Sequence, residues 1–90
     1  MRNSKSRNRT LEDELQSLLS KVCVEWGFCI PADKCDEISS RRLLTAGEFA
    51  AYVLEAEGMK PEYEVEWVRR FKRKFVEELG RETVAADEYE

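Results

Sequence analysis

Ninety residues allow one domain, and Ala, Glu, Lys, Leu and Arg fill 45 of them, a composition that with helical periodicity points to an all-α chain. Leu, Ile, Val and Phe number 21, enough for one small core but not for a deep catalytic cavity. With no histidine the chain lacks the commonest general base and transition-metal ligand, and a net charge of −4 is not that of a strong nucleic-acid binder.

Residues 1–9 form a basic arm, with Arg2, Lys5, Arg7 and Arg9 set among serines and asparagines. Its composition suits a flexible segment, either one that reaches along a polyanion or a solubilising terminus. Thr-Leu-Glu-Asp-Glu follows it rather than an apolar run, so it does not read as a signal peptide, and no stretch approaches the ~20 apolar residues of a membrane span. The expectation is a soluble, cytoplasmic protein with no membrane contact.

Thr10 is the expected N-cap of a first helix, with Glu12, Asp13 and Glu14 in the first turn where the helix dipole favours negative charge. Leu11, Leu15, Leu18, Leu19, Val22 and Trp26 then recur at helical spacing, and Gly27 suits the left-handed residue that ends a helix. Val24 points away from that stripe. After the apolar link Phe28-Cys29-Ile30, Pro31 opens a short second helix, with Ala32, Cys35 and Ile38 facing inward.

Thr45 and Glu48 form the pattern T-x-x-E, in which hydroxyl and carboxylate each bond the other residue's backbone amide, and Leu44 can staple onto Phe49. The third helix continues through Tyr52, Val53 and Ala56 to Gly58. A fourth is expected over residues 62–79, closing at Gly80, with Trp67, Phe71 and Phe75 on its apolar face. Residues 81–90 carry no periodic stripe and are expected to form an acidic, frayed tail. No repeat at a fixed period and no β pattern longer than residues 28–30 is apparent. The fold expected is therefore all-α, a compact bundle of about four helices over residues 10–80, the second short, between a flexible basic N-terminus and an acidic tail.

Motifs for chemistry are sparse. Cys23, Cys29 and Cys35 are evenly spaced, but zinc needs four ligands, usually with two thiolates held two to four residues apart, and neither such a pair nor an imidazole is present. All three are expected to be reduced packing residues that bind no metal. Loops that cradle phosphate and motifs of nucleophilic catalysis are missing. No enzyme activity, cofactor or small-molecule substrate is implied.

Two surfaces remain. Leu54, Val65 and Val76 lie at the edges of their apolar stripes, and such surplus points to a protein partner or self-association. Residues 69–74 carry five cations, Arg69, Arg70, Lys72, Arg73 and Lys74, which could track a phosphate backbone. Glu66, Glu77 and Glu78 stand four residues from Arg70, Arg73 and Lys74, so those three are expected to be paired and Arg69 and Lys72 to be the least compensated. The leading expectation is a non-catalytic protein–protein interaction module, an adaptor or regulator. The alternative is a nucleic-acid-associated accessory protein using the basic arm and the helix face of residues 69–74, with Arg69, Lys72 and Arg73 as its contact residues.

Overall fold

The computed structural model describes residues 10–89; the basic arm of residues 1–9 lies outside them. In chain order the elements are α1 (Leu11–Trp26), α2 (Ala32–Ser39), β1 (Leu43–Thr45), α3 (Ala46–Ala56), a 3-10 turn (Pro61–Tyr63), α4 (Val65–Leu79), β2 (Thr83–Ala85) and a second 3-10 turn (Ala86–Tyr89). The predominantly helical bundle expected from the sequence is present. None of these helices is long and apolar enough to cross a membrane.

Local signals set the helix ends. The Thr10 hydroxyl accepts from the Asp13 amide at 3.1 Å and the Asp13 carboxylate accepts from the Thr10 amide, while Gly27 stops α1 in the left-handed region at φ 79°, a conformation that costs glycine little. Thr45 and Glu48 make the same reciprocal pair at 3.0 and 3.1 Å. Thr45→Ala should lower stability by about 1 kcal/mol, read as a shift in the urea midpoint at unchanged slope.

The core is one cluster. Leu15, Leu18 and Val22 of α1, Phe49 and Val53 of α3, and Phe71 and Phe75 of α4 are all buried in it. Trp26 and Trp67 pack against it but stay half-buried. On α2, Ile38 is buried and Cys35 half-buried against the core as expected, whereas Ala32, also expected to face inward, is exposed.

Two expectations fail at the C-terminal end. Residues 83–85 are not part of a frayed tail, because β2 pairs antiparallel with β1 in the register Leu43↔Ala85, Leu44↔Val84 and Thr45↔Thr83, and both Leu44 and Val84 are buried. Strands of three residues are too short to show alternation in a sequence, which is why no β pattern was visible. The fourth helix begins at Val65 rather than near Glu62, since Pro61 opens a separate 3-10 turn that ends at Glu64 with a non-helical ψ of 55°.

The strand register also exposes a repeat that sequence inspection misses. Residues 37–49 and 77–89 align at a fixed offset, with Glu37/Glu77, Arg41/Arg81, Ala46/Ala86 and Glu48/Glu88 identical and Leu44/Val84 and Phe49/Tyr89 similar. Each copy places a helix end, a three-residue turn, a strand and a new helical turn in the same order. Their backbone bonds are reciprocal: the Ala46 amide donates to the Glu82 carbonyl and the Ala86 amide to the Arg42 carbonyl, both at 2.8 Å. Two helix–turn–helix-start units thus meet about a local two-fold axis between Leu44 and Val84.

Candidate functional site

Such paired units invite a test for calcium, which a helix–loop–helix holds when the turn supplies oxygens, a glycine makes the sharp bend and a carboxylate follows in the next helix. The turns here are Ser40-Arg41-Arg42 and Gly80-Arg81-Glu82, with arginines where the cation would need oxygens. Glu48 is already bonded to the Thr45 amide. These residues do not fit calcium, and among the described residues no group of three or more Cys, Asp or Glu could hold a metal.

The apolar edge foreseen in the sequence is not assembled. Leu54 is 0% exposed, because α3 is buried along an arc from Phe49 through Val53 and Ala50 to Leu54, about 140° at 100° per residue. A helix enclosed on that many sides has no apolar margin to spare at its edge. Val76 is half-buried against the core, and only Val65, 60% exposed, stands on the surface. Val24 is exposed, as expected.

On α4 the charge pairing matches expectation at Lys74 with Glu78 and departs from it at Arg69, Arg70 and Arg73. Arg69 is not free: its guanidinium lies 3.6 Å from Glu66. Lys74 turns inward, with Nζ 2.7 Å from Glu25 and 3.9 Å from Glu78 and 5.7 Å from the centre of the Trp26 ring. The Glu25 hydrogen bond outweighs partial desolvation, and with the charges of Glu25, Glu78 and Glu77 it holds the Lys74 ammonium above the usual lysine range. Glu78 is shared with Lys21 of α1 at 2.6 Å, so this end of α4 is tied electrostatically to α1.

Arg70 and Arg73 lack the pairs their spacing suggested. Arg70 lies over the Trp67 ring at 5.0 Å from its centre, and among the described residues Arg70, Lys72 and Arg73 have no ion pair. Arg70 and Arg73 are exposed, and with Trp26, Lys74 and Glu77 they line a shallow groove between the end of α1 and α4; Lys72, about 160° from Arg70 around the helix, lies on the other side of α4. Aromatic contacts hold Trp26 and its turn against α4 behind the groove: Trp26 and Trp67 approach at 5.9 Å, and Phe28 meets Trp67 at 4.7 Å and Phe71 at 4.8 Å, edge to face in the latter case.

Sequence reasoning placed Trp26 and Trp67 in the core and so missed them as surface groups. Two signals were available: tryptophan is seldom fully buried, and Trp67 and Arg70 stand three residues apart, neighbours on a helix. A second groove, lined by Lys34, Glu37, Ile38, Arg41, Tyr52 and Glu55 among others, is a weaker candidate. Its charges offset one another, with Lys34 3.7 Å from Glu37 and Arg41 lying over Tyr52.

The cysteines are not all reduced. Cys23 and Cys29 form a disulfide with Cα atoms 4.2 Å apart, because the left-handed turn at Gly27 brings the chain back over the last turn of α1. Cys35 is a free, half-buried thiol, pushed above the usual cysteine range by burial and then by the charges of Asp36 and Asp33. No protein-family model, curated protein or solved structure matches this chain.

Proposed function

We propose that the protein is a non-catalytic protein–protein interaction module that grips an acidic segment of a partner protein across the α4 groove. The observation that carries this reading is the pair of cations without ion partners, Arg70 and Arg73, that line the groove with the half-buried Trp26, Arg70 lying also over the Trp67 ring. Tryptophan and arginine dominate binding energy at protein interfaces, since each offers a large contact area with a polar or charged handle. Free cations next to them favour carboxylates on the partner.

The nucleic-acid alternative is weaker on this geometry. Tracking a polynucleotide needs an extended basic surface, whereas this patch covers barely two turns of one helix and is bounded by Glu66, Glu77 and Glu78. The cytoplasm remains the proposed compartment, one in which a disulfide is usually transient and linked to redox state.

The reading is tested by fluorescence anisotropy with two labelled probes of equal charge and length: a peptide alternating Glu with Leu and Phe, and a single-stranded oligonucleotide. The peptide should bind the tighter at ~0.15 M salt and lose affinity less steeply than the oligonucleotide as salt rises, since its few ion pairs are screened but its apolar contacts are not. Tighter binding of the oligonucleotide, falling steeply with salt, would replace this reading with the nucleic-acid one.

A further inference from the structure

The disulfide brackets the segment that builds the proposed groove. Between Cys23 and Cys29 lie Trp26, whose ring lies against Trp67 and Phe71 and beneath Lys74, the left-handed Gly27, and Phe28, which is buried against Trp67 and Phe71. Every aromatic contact between this segment and α4 therefore hangs on a turn closed covalently at both ends. Cys29 is exposed and Cys23 half-buried, so one sulfur is open to attack from solvent. Reduction need not unfold the chain, because the turn also has backbone bonds from the Gly27 amide to the Cys23 carbonyl at 3.0 Å and from the Phe28 amide to the Val22 carbonyl at 3.2 Å, and the core cluster extends far beyond it.

We propose that the thiol–disulfide state of Cys23 and Cys29 controls the conformation of the Trp26 side of the α4 groove; its consequence for binding rests on the interaction reading above. The reductant is a cellular thiol or dithiol. Its thiolate attacks the Cys29 sulfur, forming a mixed disulfide and releasing Cys23 as a thiolate that takes up a proton. A second thiolate then attacks the reductant sulfur of the mixed disulfide and releases Cys29, so that two electrons pass to the protein and the reductant leaves as its own disulfide. In the oxidised chain the last turn of α1 is pinned and Trp26 is preorganised over α4; in the reduced chain that turn is free to fray, and Trp26 must be ordered again when a ligand binds.

The test compares the full chain oxidised, reduced with dithiothreitol, and as Cys23→Ser/Cys29→Ser, using near- and far-ultraviolet circular dichroism and anisotropy with the Glu-rich peptide. Reduction should alter the near-ultraviolet tryptophan signal and leave helix content intact. Peptide affinity should fall about three- to tenfold, the scale of one large side chain left to be ordered, and the double serine variant should match the reduced protein. Cys35→Ser should keep the full redox response. Unchanged tryptophan signals and affinity would overturn the proposal, as would loss of helix content on reduction, since the disulfide would then be a plain structural clip. If the tryptophan signal responds but the peptide binds neither state, redox control of the groove stands and the interaction reading falls.

Discussion

Phe71→Ala is expected to remove about 3–5 kcal/mol of stability, a large part of the 5–15 kcal/mol that holds a typical domain together. Phe71 is fully buried, and its ring lies 5.4 Å from Trp26, 4.8 Å from Phe28, 6.1 Å from Phe49 and 5.8 Å from Trp67. Those rings come from α1, the link after it, α3 and α4, so truncation leaves a cavity that no single element can fill by shifting. Urea unfolding followed by circular dichroism measures the loss. A change below about 1 kcal/mol would mean that α4 presents a different face to the core.

Val84→Asp should be comparably damaging. Val84 is 1% exposed and pairs with the fully buried Leu44 at the centre of the two-stranded sheet, where a carboxylate would lose its water without gaining a cation. A single unpaired buried charge costs several kcal/mol or is neutralised at similar expense. The neighbouring Thr83→Asp, at an exposed position of the same strand, should cost far less. The contrast is measured in the same urea experiment, and equal, small effects at both positions would indicate that residues 83–85 do not close the fold.

Much of this fold was legible because its signals are local. The capping pairs at Thr10 and Thr45, the glycine stops at Gly27 and Gly80, and the stripes from Leu11 to Trp26 and from Trp67 to Phe75 each lie within a few residues of one another. What was not legible depends on pairing across the chain. Val84 has only Ala86 as an apolar neighbour at strand spacing and none at helix spacing, too little to mark a strand, and its pairing with Leu44 places it in the core. The repeat of residues 37–49 at 77–89 is hidden for the same reason, since the matched residues mark a turn and a strand pair rather than a periodic face. The disulfide requires knowledge that the chain doubles back at Gly27, and sequence spacing alone does not give the distance between two cysteines.

The site was legible in its ingredients and not in its arrangement. The cationic run on α4 was visible, but helical spacing alone paired Arg70 with Glu66 and Arg73 with Glu77, whereas Glu66 reaches Arg69 instead. Lys74 is held by Glu25 of α1, a partner 49 residues away in the chain. Likewise Leu54 looked like surplus because a helical wheel shows angles and not neighbours, and α3 is enclosed over a wider arc than one stripe.

Charge exchange across the groove tests the interaction reading most directly. In the variant Arg70→Glu/Arg73→Glu, binding of the Glu-rich peptide should be lost while helix content stays unchanged, and a peptide with each Glu replaced by Lys should bind the variant and not the original protein. A double-mutant cycle over the four combinations isolates the coupling between the two charge sets. Recovery of affinity in the swapped pair is the predicted result; equal binding of the Glu-rich peptide to both proteins would contradict the α4 groove as the binding face.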